Sequence, residues 1–166
     1  MLSQNYKTQF GRINYYFKKG EPLIVFLNGF GSFDTKQTFS PIIDKLPKDY
    51  GIFAADYLNS GFSGKSTKEY VISDEANELA QIINNFNANS IIIVAHSIGG
   101  VYAFQMQNQI HNLKAIISIE PTTREIIMNP PKDEIYIQKQ KEVATVESRI
   151  REDIQKIFSE KDALQF

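Results

Sequence analysis

The sequence predicts an α/β fold with a doubly wound, mostly parallel sheet. Three observations predict it: apolar runs of strand length alternate with helix-period segments from residue 22 onward, one run is apolar at four consecutive positions, and a strand-turn-helix signature surrounds Ser97. A chain of 166 residues with 42% hydrophobic content is long enough for one compact domain. We therefore expect a core over residues 1–120 and a separate helical segment over residues 121–166.

The strand candidates are short apolar runs of the length typical of buried strands. They lie at residues 22–27, 51–56, 91–94 and 113–120. The run at 91–94 suits a central parallel strand that is covered on both faces.

Helix candidates lie between these strands. Residues 38–46 have apolar side chains at helical spacing, namely Phe39, Ile42, Ile43 and Leu46. A longer helix is predicted after Ser73, a candidate N-cap followed by Asp74 and Glu75, where the helix dipole favours acids. Its apolar stripe consists of Ala76, Leu79, Ala80, Ile83 and Phe86. A third helix follows Ser97 and has Val101, Phe104 and Ile110 on its packed face.

The turn at Ser97 is the most informative motif in the chain. A buried strand runs directly into Ala95-His96-Ser97-Ile98-Gly99, and a helix follows. A serine on so sharp a turn needs small residues two positions before and after it, and Ala95 and Gly99 meet that need. The pattern predicts a nucleophile elbow, although Ser97 could also be an ordinary turn serine.

Further motifs stand on both sides of this turn. Residues 28–32 have the sequence Asn-Gly-Phe-Gly-Ser, and residues 56–66 contain an Asp followed by a loop rich in Gly and Ser. Together with the elbow, these segments resemble the α/β-hydrolase superfamily of esterases, lipases and peptidases. The resemblance covers residues 1 to about 120, and it also implies that residues 8–17 form the opening antiparallel hairpin of that family.

The resemblance implies a serine hydrolase that cleaves an ester, thioester or amide bond of a small-molecule substrate. Ser97 would be the nucleophile, and the backbone N–H groups of Phe30 and Ile98 would form the oxyanion hole. Asn28 stands where family members often have a histidine. Because the expected donor in this loop is a backbone group, that replacement leaves the oxyanion hole feasible.

Asp56 has two alternative interpretations. It could be mistaken for the catalytic acid, but the aspartate at this position in the family usually stabilises its own turn by side-chain to backbone hydrogen bonds. We adopt the structural interpretation. The neighbouring Gly-Phe-Ser-Gly-Lys-Ser is not a phosphate-binding loop, because it lacks the required spacing between glycines.

The segment after residue 120 departs from the family, since it contains no convincing strand. An amphipathic helix is predicted over residues 139–159, with apolar positions at Val143, Val146, Ile150, Ile154 and Ile157. We interpret it as a lid or cap helix. A helix that simply packs on the core is the alternative, and its mixed charges argue against a membrane-surface helix.

The catalytic base is the missing part of the mechanism. Serine hydrolysis on this fold needs a histidine that follows the last strand, and the only histidines are His96 and His111. His96 adjoins Ser97 at a sharp turn from which its side chain should diverge, and His111 should lie far from Ser97. Glu120, at the end of a predicted strand, is a candidate catalytic acid, although a strand-end residue facing solvent is an equal alternative.

Three functional hypotheses follow. The chain is the N-terminal part of a serine α/β-hydrolase, either truncated or completed by another polypeptide, and is weakly active or inactive alone. Alternatively it is a non-catalytic binding domain that retains the hydrolase scaffold. Thirdly, a homo-oligomer could take its base from His111 of a neighbouring copy.

Composition excludes several other classes. The net charge of -1 gives no broad electrostatic footprint for nucleic acid. The zero cysteines exclude disulfides and thiolate metal sites, and the two separated histidines lack metal-ligand spacing, so neither a metal nor a cofactor is expected. No signal segment or membrane-spanning run is recognisable, which predicts a soluble cytoplasmic protein.

The end of the predicted sheet carries a further expectation. If the sheet ends at the strand before Glu120, that strand exposes unpaired N–H and C=O groups and apolar faces. Such an edge invites association, so a homodimer through this edge is predicted, with a helix folding back over it as the alternative.

Overall fold

Within the part of the chain that the structure describes, six strands form one sheet in the spatial order β1-β2-β4-β3-β5-β6. The strands are β1 (Leu2–Lys7), β2 (Arg12–Lys18), β3 (Leu23–Leu27), β4 (Gly51–Ala55), β5 (Ile91–His96) and β6 (Leu113–Ile119). Strands β3 to β6 run parallel, and β1 and β2 pair antiparallel with each other and with β4. The predicted mostly parallel sheet is confirmed, and the opening hairpin extends over residues 2–18.

This computed structural model describes residues 2–31 and 34–123 and the single positions 125, 128, 129, 134, 137, 138, 141, 142 and 145. The chain divides into two compact units, Met1–Thr123 and Arg124–Phe166. The sheet belongs to the first unit. In the second, described positions such as 134, 137, 138, 141 and 142 are helical, whereas most of the predicted lid helix over residues 139–159 lies outside the described residues.

The helices are α1 (Thr35–Thr38), α2 (Ser40–Ile43), α3 (Ile72–Asn84) and α4 (Gly99–Met106). The helix predicted over residues 38–46 is wrong as a single element. Phe39 interrupts it, with φ -93° and ψ 4°, and α2 restarts there with a proline in its first turn. Proline is well suited to that place, because the first N–H groups of a helix have no partner within it.

The start of α3 also differs from expectation. The N-cap is Val71 and not Ser73, and the helix begins at Ile72. Val71 has no side-chain acceptor, so the carboxylate of Asp74 reaches back and accepts a hydrogen bond from the Val71 N–H at 3.0 Å. An acid in the first turn therefore satisfies the terminus that a capping serine was expected to serve.

Apolar side chains pack on both faces of the sheet, as a doubly wound fold requires. The larger cluster joins one face to α3 and α4 and includes Val25, Phe53, Leu79, Ile83, Ile93, Ala103 and Met106. The smaller cluster on the other face consists of Ile24, Phe26, Phe39, Ile52, Ala54 and Val94. Because alternate residues of β3, β4 and β5 face opposite clusters, these strands are apolar throughout.

The parallel strands bring their carboxyl ends to one edge of the sheet. Asn28 follows β3, Asp56 follows β4, Ser97 follows β5 and Glu120 follows β6. Loops at the carboxyl ends of adjacent parallel strands form the usual crevice for ligands in open α/β sheets. The sequence-predicted functional residues therefore lie on neighbouring loops.

Strand β6 is an edge of this sheet, since it pairs only with β5. Its side chains are largely exposed, including 52% of Ile117 and 37% of Ile119. An exposed apolar edge strand is available for further strand pairing.

Candidate active site

Ser97 occupies a strained turn between β5 and α4. Its φ is 52°, in the left-handed region that side chains other than glycine seldom adopt. Such a conformation costs about 1–3 kcal/mol and persists only where neighbouring contacts impose it. The Ser97 N–H donates to the Ile119 carbonyl at 3.0 Å, and the Ser97 carbonyl accepts from the Thr122 N–H at 3.0 Å. The segment that ends β6 therefore holds both sides of the turn.

Two glycines allow the backbones around Ser97 to approach closely. A Cβ atom on Gly99 would lie 2.6 Å from the Leu27 carbonyl oxygen and 2.8 Å from that of Asn28. A Cβ atom on Gly29 would lie 2.8 Å from Nδ1 of His96. The loop after β3 therefore packs directly against the Ser97 turn, and the turn has the geometry of a nucleophile elbow.

Asn28 organises the loop after β3 from a buried position. Its Oδ1 accepts from the Gly29 N–H at 2.8 Å, and its Nδ2 donates to Oγ1 of Thr38 at 3.2 Å. Its backbone carbonyl accepts from the Tyr57 hydroxyl at 3.0 Å. The asparagine that replaces the expected histidine thus fixes the loop through side-chain and backbone bonds.

Two backbone donors near Ser97 are unused. Neither the Phe30 N–H nor the Ile98 N–H has a hydrogen-bond partner among the residues that the structure describes. Ile98 is the N-cap of α4, and the Phe30 side chain is 81% exposed. Free N–H groups beside a serine hydroxyl are the donors that an oxyanion requires.

The other predicted catalytic residue, Glu120, lies one strand away from Ser97. Glu120 follows Ile119, the residue that accepts from the Ser97 N–H, and its own φ is 44°. Its side chain is exposed and has no hydrogen bond or ion pair with any described residue. The hydroxyl of Thr122 is nearer, with its Oγ1 3.5 Å from Oγ of Ser97.

The two histidines occupy different ends of β5. His96 packs its ring over Gly29. His111 is exposed, and its backbone N–H donates to Oδ1 of Asn84 at 3.0 Å beside the start of β5. The length of β6, which has 7 residues, is about 20 Å at a rise of about 3.3 Å per residue. His111 and Ser97 therefore lie at opposite ends of the parallel strands.

The family model of the alpha/beta hydrolase fold matches residues 22–162. The chain belongs to this α/β-hydrolase family.

Solved α/β-hydrolases share the fold. Smu.1393c from Streptococcus mutans is 32% identical with a TM-score of 0.78, over 85% of this chain and 54% of that chain. The N-acyl homoserine lactonase AidH, in a complex with N-hexanoyl homoserine lactone, is 16% identical with a TM-score of 0.61, over 71% of this chain and 45% of that chain. This α/β-hydrolase chain thus spans about half the length of these structures.

A curated relative matches a shorter stretch. An uncharacterized protein from Mycobacterium tuberculosis is 29% identical over 92 residues, which are 55% of this chain and 26% of that protein. Within the described residues of this α/β-hydrolase, no helix is long and apolar enough to cross a membrane. The same residues contain no cluster of three or more potential metal ligands.

Asp56 of this α/β-hydrolase serves the loop after β4. Its Oδ1 accepts from the Thr35 N–H at 2.8 Å and its Oδ2 accepts from the Phe62 N–H at 2.9 Å. Burial raises the pKa of Asp56, while these backbone donors act in the opposite direction. A Cβ atom on Gly61, where φ is 50°, would overlap the carboxylate. Asp56 makes the predicted side-chain to backbone hydrogen bonds.

Sequence reasoning missed the buried carboxylate of Glu75. It was expected only to favour the N-terminal dipole of α3, but its side chain is fully buried. It accepts from the Tyr102 hydroxyl at 2.7 Å and from the Leu58 N–H. No local signal could have found this role, because the donors are 17 and 27 residues away in the sequence.

Proposed function

We propose that this chain carries the nucleophile and oxyanion hole of a serine hydrolase acting on an ester, thioester or amide bond of a small molecule. Ser97 Oγ would attack the carbonyl carbon, and the carbonyl oxygen would become an oxyanion that accepts from the Phe30 and Ile98 N–H groups. The carrying observation is the strained left-handed turn at Ser97 beside two unpaired backbone donors. Collapse of the tetrahedral intermediate would expel the alcohol, thiol or amine and leave an acyl-Ser97.

The proposal needs a general base to take the proton from Ser97 Oγ. We propose that another polypeptide, or the remainder of a longer protein, supplies a histidine that Glu120 then orients as the acid. The location of Glu120 beside the Ser97 turn supports this role. His111 of the same copy is a poor candidate, because it lies at the far end of the strands.

A missing base limits the expected rate. Removing the histidine of a serine triad costs about a millionfold in turnover, while about 10³ to 10⁴-fold over water remains from the oxyanion hole and binding. The chain alone should therefore react slowly, and a covalent probe is a better readout than turnover.

The decisive experiment is labelling of the purified chain with a fluorophosphonate probe, with and without added imidazole as a soluble base. We expect slow labelling at Ser97 that imidazole accelerates. Ser97→Ala should abolish it. Ser90→Ala, which removes a hydroxyl at the other end of β5, should not change it. Absence of Ser97-dependent labelling under both conditions would contradict the proposal and favour a non-catalytic binding domain.

We further propose that the chain forms a homodimer through the β6 edge and that residues 121–166 act as a lid-like segment. The exposed apolar side chains of Ile117 and Ile119 support the first proposal. The helical positions among residues 134–142 agree with a helical second segment.

A further inference from the structure

Glu75 is a carboxylate buried without a cation. It lies in the first turn of α3 with 0% of its side chain exposed, and among the described residues its partners are two donors, the Tyr102 hydroxyl and the Leu58 N–H. Burial raises its pKa, while both donors lower it. Such a group costs stability unless it is well hydrogen-bonded, and an apolar residue there would pack in the core without that cost. The position therefore calls for an explanation beyond packing.

The two partners of Glu75 belong to the two loops that surround Ser97. Tyr102 lies on α4, the helix that begins immediately after the Ser97 turn. Leu58 lies in the loop after β4. The carboxylate thus ties α3 to the elbow helix and to the neighbouring loop at once.

Tyr57 extends this connection to the oxyanion loop. Its ring stacks on the ring of Tyr102, with centroids 4.1 Å apart and an interplanar angle of 15°. Its hydroxyl donates to the Asn28 carbonyl at 3.0 Å. Because Leu58 is the next residue, Glu75 fixes Tyr57 from the backbone side and through the stacked ring.

The hydrogen bond to the Asn28 carbonyl determines how the next peptide groups are oriented. The peptide between Asn28 and Gly29 is held at its oxygen by Tyr57 and at its N–H by Oδ1 of Asn28. The following peptide carries the N–H of Phe30. A peptide plane that is fixed at both polar ends leaves the next N–H with a defined direction.

We propose that Glu75 is a positioning residue for the reaction at Ser97, acting through Tyr102 and Tyr57 to hold the Phe30 N–H in place relative to the elbow. This inference rests on the proposed function for its chemical consequence. Its structural content, that the chain of contacts from Glu75 fixes the oxyanion loop, is independent of that function.

The test compares Tyr57→Phe with Tyr15→Phe in the full chain. Both tyrosines are 8% exposed, and each donates one hydroxyl hydrogen bond, from Tyr57 to the Asn28 carbonyl and from Tyr15 to Oε1 of Gln4 at 2.9 Å. Both variants keep the ring. Only Tyr57→Phe removes a contact to the oxyanion loop.

Two readouts are measured on each variant. The first is the rate of fluorophosphonate labelling, for which we expect a loss of about tenfold in Tyr57→Phe, a fraction of the 10²–10³ lost when an oxyanion donor is removed. The second is hydrogen exchange of the Gly29 and Phe30 amides, which should become faster in Tyr57→Phe and stay unchanged in Tyr15→Phe.

Glu75 itself is tested by a graded pair of substitutions. Glu75→Gln keeps an acceptor for the Tyr102 hydroxyl but turns an NH₂ group toward one of the two donors, whereas Glu75→Ala removes both acceptors. We expect labelling and amide protection to fall in the order wild type, Glu75→Gln, Glu75→Ala. Partial rescue by glutamine is a result that cavity formation alone would not produce.

The outcomes separate the two proposals. If wild type shows no Ser97-dependent labelling, the proposed function fails, and the exchange readout still decides whether Glu75 fixes the loop. If wild type is labelled but Tyr57→Phe matches Tyr15→Phe in both rate and exchange, the positioning role of Glu75 is overturned.

Discussion

Gly99 faces the carbonyl oxygen of Leu27 so closely that a methyl group on Gly99 would lie 2.6 Å from it. The obstacle is backbone and cannot rotate away, and the Asn28 carbonyl stands at 2.8 Å on the same side. We expect Gly99→Ala to lower the free energy of unfolding by about 1–3 kcal/mol, as overpacking does. It should also slow labelling of Ser97, because the oxyanion loop must shift.

Gly64→Ala is the matched control for this substitution. A methyl group on Gly64 would meet its nearest neighbour, Cβ of Arg12, at 3.4 Å, which is an ordinary contact. Urea denaturation of the two variants gives the comparison. Equal losses in both would show that the close approach at Gly99 is relieved without strain.

Asp56→Asn should destabilise the fold by about 1–3 kcal/mol. Both carboxylate oxygens accept from backbone N–H groups, so an amide must turn its NH₂ toward one of those donors and leave it unpaired in a buried place. The measurement is the free energy of unfolding in urea.

Asp34→Asn serves as the control for Asp56→Asn. Asp34 also accepts two bonds, from the Gln37 N–H and the Tyr16 hydroxyl, both at 3.1 Å. Asparagine remains a good N-cap, and a hydroxyl can accept as well as donate, so we expect a change within about 0.5 kcal/mol. A similar loss at both positions would argue against the importance of the two backbone donors at Asp56.

The stability contribution of Glu75 should depend on pH. Because burial raises its pKa above the ordinary value of 4.5, the folded protein holds the proton more tightly than the unfolded chain does. Relative to Glu75→Gln, the free energy of unfolding of wild type should therefore be highest below pH 4.5 and fall as the pH rises through the raised pKa.

The facing groups do not interfere with this measurement. Tyr57, Tyr70 and Tyr102 are the titratable neighbours, and burial raises the pKa of each above 10.0, so they stay neutral at acid and neutral pH. Asp56 titrates in both proteins and cancels in the difference. Urea denaturation from acid to neutral pH gives the profile, and a constant difference would contradict the expected cost of the buried charge.

Ile117→Lys should reduce self-association of the chain. A lysine on an edge strand opposes pairing with a second edge, and Ile117 is 52% exposed, so little core packing is lost. Sedimentation of wild type should show a dimer that dissociates on dilution, and Ile117→Lys should be monomeric at the same concentrations.

Leu2→Lys provides the control on the opposite edge of the sheet. Leu2 lies on β1 and is 79% exposed. It should leave the dimer intact. A wild-type monomer, or an equal effect of both lysines, would contradict association through β6.

Local sequence signals predicted the strands and the Ser97 turn because both depend on nearby residues. The consecutive apolar residues of β5 and the small Ala95 and Gly99 are requirements that neighbouring residues impose. The break at Phe39 and the cap at Val71 were missed, since a proline or an acid can serve a helix terminus in more than one register.

The network around Glu75 could not be predicted for a different reason. Its members come from α3, α4 and the loops after β3 and β4, and nothing in their spacing indicates that they meet. An acid in the first turn of a helix is usually solvated, so the sequence favoured a dipole interaction. Only the packing of α3 against α4 turns that acid into a buried acceptor.

The hydrogen bonds that join Ser97 to Ile119 and Thr122 also define the smallest useful fragment of this protein. The turn is built by two strands, so a piece that ended with α4 would contain the whole elbow motif and still lack both bonds that hold Ser97. In a series of C-terminal deletions, those that reach past Thr122 should lose the strained serine conformation abruptly, while shorter deletions should keep it. Fragment complementation and fusion designs therefore have a boundary after Thr122, and not after the motif itself.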